Sequence, residues 1–162
     1  MKSQLHFPTR KGKTLIIGLG NTLLSDDGIG IYIVRKLGKI IDNPYIVFKE
    51  APIGGLELLD IIVDYKKVII IDSLILENNP LGTLVQLSLK DLKGGSSWTR
   101  HQVSLNEAVE LAKKIKMNVP DDIRIYGIVV KDISTFKEEC TPEIKQAFNN
   151  IVENIKNVLK IT

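Results

Sequence analysis

This sequence predicts an α/β domain built on a mixed sheet, and three observations carry that prediction. Apolar, β-rich runs alternate with stretches of helical periodicity along most of the chain. The run Lys67-Val-Ile-Ile-Ile-Asp72 is apolar on both faces, as a central strand covered from both sides must be. Only residues 73–82, with Pro80 and Gly82, lead from it to the next strand at Thr83–Leu89. A parallel crossover needs about a dozen residues or more, so that strand is expected to run antiparallel to the others. The expected architecture is a three-layer α/β/α sandwich around a twisted, mixed five-stranded sheet. One domain spans 14–162, behind a basic tail at 1–13.

Each element has its own signal. Leu15–Leu19 reads as the first buried strand and Ile29–Ile41 as a helix, with Ser25 or Asp26 near its N-cap. Tyr45–Lys49 is the second strand. Gly54-Gly55 then opens a short helix through Leu56, Leu58, Leu59 and Ile62. After the third and fourth strands, a helix over 104–116 is expected to turn Ala108, Leu111, Ala112 and Ile115 inward. His101 falls in its first turn or just before it, on the same side. The capping boxes Thr99-x-x-Gln102 and Ser104-x-x-Glu107 compete for the start. Ile123–Val130 is the fifth strand. Thr141-Pro142-Glu143 opens the last helix, with Thr as N-cap and Pro at the first helical position.

Composition narrows the function classes. Of 162 residues, 44% are apolar and 25% charged, the balance of an ordinary globular chain. The formal charge of +3 is concentrated in the tail, where Lys2, Arg10, Lys11 and Lys13 stand without an acid. The remainder holds 18 basic against 19 acidic side chains, which weighs against nucleic acid as a partner. The tail lacks the apolar core of a signal peptide, and no run approaches the roughly 20 apolar residues of a membrane span. A single cysteine, Cys140, fits a reducing compartment. A cytoplasmic monomer without membrane attachment is therefore expected.

The chemistry concentrates after the first strand, in Gly18-Leu-Gly20-Asn21-Thr-Leu23-Leu-Ser-Asp26-Asp27-Gly28-Ile-Gly30. Acids in a first helical turn favour the helix dipole by about 0.3–1 kcal/mol each. Alternatively, one of them projects into the crevice at the strand ends, where open α/β sheets bind ligands. Asp27 lies beyond the end of strand one, with Gly28 and Gly30 leaving room beside it. Asp72, expected to end the third strand, either caps the next loop through Ser73 or converges on the same crevice. His101 is either a core histidine or a third member. Two carboxylates and an imidazole suit a borderline divalent ion with open positions left over. Cys140 has no adjacent base to make it a nucleophile. The competing reading is a Rossmann-type nucleotide module, with Gly18-x-Gly20 as half a fingerprint and Glu50 as a ribose-binding acid. Against it, Leu23 stands where the third glycine belongs, and Asp26 and Asp27 would repel pyrophosphate.

Five segments, in order, resemble the maturation endopeptidases of [NiFe] hydrogenases. They are the Gly18–Gly30 motif, Gly54-Gly55-Leu56-Glu57-Leu58-Leu59, Val68-Ile69-Ile70-Ile71-Asp72, His101-Gln102 and Thr141-Pro142. The resemblance implies an aspartic-type, metal-dependent endopeptidase that removes the C-terminal extension of the hydrogenase large-subunit precursor. It implies Asp27, Asp72 and His101 as metal-site and catalytic residues, and nickel arriving with the precursor, with zinc or cadmium substituting in vitro. Asn21, Gly54 and Gly55 would form the substrate loop. A metallochaperone that binds the same precursor without cutting it is the other alternative. The chain departs from the family's pattern in its basic tail and in the charged stretch after Val130.

Overall fold

The unbroken apolar runs at 15–19 and 68–71 become adjacent strands at the centre of one sheet. The computed structural model describes residues 10–52, 56–89, 91 and 100–161, with the backbone alone for residues 11, 56 and 100–104. The elements are β1 (Thr14–Leu19), α1 (Ile29–Ile40), β2 (Ile46–Ala51), α2 (Leu56–Ile62), β3 (Lys67–Ile75), β4 (Leu84–Leu87), α3 (Arg100–Lys114), β5 (Asp122–Val130) and α4 (Pro142–Leu159). Most of the basic tail lies outside the described residues. Its Arg10–Gly12 segment forms a 3-10 turn, with the Arg10 guanidinium 5.6 Å from the centroid of the Tyr65 ring.

The strand order is β2-β1-β3-β5-β4. β1 pairs in parallel with β2 and β3, and β3 with β5. β4 runs antiparallel to β5, as the short connector predicted. Side chains alternate across a strand, so each central strand feeds two cores. Leu15, Ile17, Val68 and Ile70 pack with Leu58 and Ile62 of α2 and Leu105 and Ala108 of α3. Ile16, Ile69 and Ile71 pack on the opposite face with Ile29 and Ile33 of α1 and Ile144 and Ile155 of α4. Each such side chain contributes about 1.5–3 kcal/mol by leaving water, and the three layers follow.

Three local expectations are corrected. β3 does not end at Asp72 but continues to Ile75, paired with β5 throughout. Pairing with β1 stops at Gly18 opposite Ile71, so Asp72 still stands at the carboxyl edge on the β1 side. In α3 the inward stripe is Leu105, Ala108, Val109 and Ala112, while Leu111 and Ile115 are 47% and 62% exposed. The stripe is phased from Leu105, one step around from the bulky residues at the helix end; His101 occupies the turn before it. Finally, neither Ser25 nor Asp26 caps α1. Both lie in a 3-10 turn, Ser25–Gly28, and Gly28 takes the N-cap position without a side-chain bond.

Candidate active site

The site begins where β1 leaves the sheet. Gly20 has φ +133°, and a Cβ there would lie 1.9 Å from the Asp27 carbonyl oxygen, so only glycine lets the loop fold back over the strand end. The loop is tied by its own backbone. The Leu23 N–H donates to Asn21 Oδ1 (2.9 Å), Leu24 N–H to the Asn21 carbonyl and Asp27 N–H to the Leu24 carbonyl. The Asn21 N–H donates to Asp27 Oδ2 at 2.8 Å, which fixes that carboxylate above the end of β1.

Ser73 carries the arrangement across to β3. Its hydroxyl donates to Asp27 Oδ1 at 3.2 Å and its N–H to Asp72 Oδ1 at 2.8 Å. Asp27 is 5% exposed, and Asp72 and Ser73 are fully buried. One serine thus bonds two buried acids, one through its hydroxyl and one through its N–H, at the point where the chain diverges from β1 toward both sides of the sheet, the place where doubly wound sheets bind ligands. Ser73, expected in the loop after β3, lies within the strand, and a hydroxyl beside an acid at a strand's carboxyl edge is its signal in the sequence.

Asp26 turns the other way. Its carboxylate accepts from the Thr141 N–H (2.7 Å) and hydroxyl, and from the N–H groups of Asp132 (3.3 Å) and Lys131 (3.4 Å). Thr141 stands at the N-cap position of α4, as predicted, but makes no side-chain cap there; its hydroxyl serves Asp26. The room expected beside Gly30 is occupied as well. A Cβ on Gly30 would lie 2.4 Å from the carbonyl oxygens of both Leu19 and Ile71, so this glycine admits the chain's own backbone.

Two competing chemistries lose their ground. The amides of Asn21 and of residues 23–27 all bond within the chain, leaving that loop no ring of donors for a pyrophosphate. Glu50, the would-be ribose ligand, takes a two-pronged bond from the Arg35 guanidinium, 2.8 Å at each oxygen. Burial first, and then the charge of Asp26, push the Cys140 thiol up to about 12, far from a usable thiolate.

Of the predicted residues, Asp27 and Asp72 each bond Ser73, one through its hydroxyl and the other through its N–H, and Asn21 donates to Asp27. His101 is the second residue of α3, and its side chain lies outside the described residues. Gly54 and Gly55 also lie outside them. Among the described residues, no three His, Cys, Asp or Glu side chains form a group suited to a metal, and no helix is long and apolar enough to cross a membrane. A cleft of about 510 Å³ between α1 and the start of α4, floored by Tyr32, Cys140, Ile144 and Phe148, touches neither site acid.

Comparison with known proteins adds to this geometry. The family model described as hydrogenase maturation protease matches residues 31–158, a span that includes Asp72 and His101 and begins just past Asp27. A Methanocaldococcus jannaschii protein, provisionally named a hydrogenase maturation protease, is 34% identical over 159 residues, covering 93% of this chain and 99% of its own length. The coenzyme F420 hydrogenase subunit delta of Methanothermobacter thermautotrophicus is 26% identical, covering 91% of this chain and 95% of that one. Among solved structures, the hydrogenase maturating endopeptidase HybD of Escherichia coli superposes with a TM-score of 0.73 at 22% identity, covering 91% and 92% of the two chains, and shares the fold.

Proposed function

From the premise that this chain belongs to the hydrogenase maturation protease family, we propose that it is the endopeptidase that trims the C-terminal extension of a nickel-loaded [NiFe] hydrogenase large-subunit precursor. The reaction adds water across one peptide bond, leaving a carboxylate on the mature subunit and a free amine on the released extension. The nickel belongs to the substrate. Asp27, Asp72 and His101 are the groups that engage it, and the scissile bond is presented beside them. Zinc or cadmium would occupy the same donors in vitro.

The observation that carries this reading is the pair of buried acids joined through Ser73 at the carboxyl edge of β1 and β3. Carboxylates held out of water cost free energy unless hydrogen-bond donors, a cation or another partner balances them. Carboxylates with an imidazole are a fitting donor set for a borderline divalent ion. A peptide chain entering the crevice would pass the Asn21 loop. We place the enzyme in the cytoplasm as a monomer.

The test uses a nickel-loaded precursor that retains its extension, incubated with the wild-type chain and with folded Asp27→Asn, Asp72→Asn and His101→Ala variants. Mass spectrometry should show a shortened precursor with the wild type and full-length precursor with each variant. Normal trimming by all three would overturn the site. Binding without shortening by the wild type would make the chain a metallochaperone.

A further inference from the structure

We propose that Asp26 is a positioning residue, and that with Thr141 it forms one device holding the Asp27 turn at its working place over the sheet. The proposal rests on the reading of Asp27 as a site residue. Asp26 is fully buried and accepts from three backbone N–H groups and one hydroxyl, all from residues 131–141. The clamp is reciprocal. The Asp26 N–H donates to the Asp132 carbonyl at 2.9 Å, the Ser25 N–H to the Lys137 carbonyl at 2.8 Å, and the Lys137 N–H back to the Leu23 carbonyl at 2.9 Å. Leu24 and Lys137 also form an isolated β-bridge. The charged stretch after β5 therefore grips residues 23–26 from several points.

The turn needs gripping. Ser25 has φ +48°, a left-handed conformation that a non-glycine residue keeps only where its surroundings over-determine it. Asp27 follows two residues later, and its carboxylate depends on where that turn sits. Thr141 makes no side-chain cap on α4, although capping is what threonine at that position ordinarily does. Its N–H and hydroxyl both go to Asp26 instead, and the acid in turn lies at the favourable end of the α4 dipole. Two motifs 115 residues apart in sequence, the Asp26-Asp27 pair and Thr141-Pro142, are thus one hydrogen-bonded unit.

The experiment compares Asp26→Asn, Thr141→Val and Thr141→Ser in the full-length chain by NMR amide exchange, with trimming of the nickel-loaded precursor measured alongside. The Asn21 amide reports directly on the Asp27 carboxylate to which it donates, and the Asp27 amide on the turn. In Asp26→Asn and Thr141→Val, both should lose protection about tenfold or more while Ile70 and Ile125 in the sheet keep theirs. Thr141→Ser should restore wild-type behaviour. Trimming kcat should fall about 100-fold with KM little changed, the loss expected when a reacting group sits about 1 Å from its place. Unchanged exchange at Asn21 and Asp27 would overturn the proposal, and so would loss only in step with Ile70 and Ile125, which would make Asp26 a fastener of the fold alone. Normal trimming by Asp27→Asn would sink the site reading by itself, while the exchange data still decide what Asp26 holds.

Discussion

The Ser25–Gly28 turn has two sides, and each carries a buried carboxylate. On the α4 side, Asp26 is met by N–H and O–H donors of its own chain. On the β3 side, Asp27 accepts from the Asn21 N–H and shares Ser73 with a second buried acid, Asp72. Burial does not tell the two apart, because both are almost wholly enclosed. The neighbours do. An acid ringed by donors gains charge-assisted hydrogen bonds and fastens the fold. Two buried acids bonded to one serine at a strand's carboxyl edge form the kind of cluster that makes a functional-site candidate.

The largest expected effect strikes both sides at once. Gly30 lets α1 approach β1 and β3 backbone to backbone, and a methyl group there would sit 2.4 Å from two carbonyl oxygens that cannot swing away. Gly30→Ala should lower the unfolding free energy by about 3 kcal/mol in a denaturant titration. A loss under about 1 kcal/mol would mean the turn can relocate, and the contrast between its two sides would lose its rigid frame.

The next effect divides the sides. Asp26→Ala strands several partly buried donors and should cost about 2 kcal/mol. Asp27→Asn relieves like charge and should leave stability within about 0.5 kcal/mol of wild type, or raise it, as substitutions at costly functional sites often do. Equal losses in the two variants, measured by the same titration, would erase the distinction between fastener and site.

How much of this was legible in the sequence follows from the range of the interactions. The sheet was readable because its signals are local: apolar runs at 15–19 and 68–71, and a connector at 73–82 too short for a crossover. The positions of Asp27 and Asp72 were readable because one follows the end of β1 and the other stands at the carboxyl edge of β3. The role of Asp26 was not, because its partners lie at 131, 132 and 141, and helix-capping rules see only adjacent residues. Gly30 was misread for a related reason. A glycine signals close approach, but not whether a ligand or the chain itself approaches. In α3, Leu111 and Ile115 drew the predicted stripe toward themselves, though sheet packing selected Leu105, Ala108, Val109 and Ala112.

The last and most local substitution sharpens the contrast most. Ser73→Ala removes the hydroxyl that reaches Asp27 but keeps the backbone N–H that Asp72 accepts. Its stability cost should stay at about 1.5 kcal/mol or less, the low end for a hydrogen bond to a charged group, because the contact is long at 3.2 Å and the small cavity left by one oxygen adds little. Trimming of the precursor should fall much more than that stability change would suggest, since the hydroxyl sets the Asp27 carboxylate relative to Asp72 rather than supporting the core. A variant that unfolds as readily as Asp26→Ala while still trimming at the wild-type rate would reverse the assignment. Ser73 would then belong to the fold, the β3 side would be a second fastener, and the paired acids would have to be explained by packing alone.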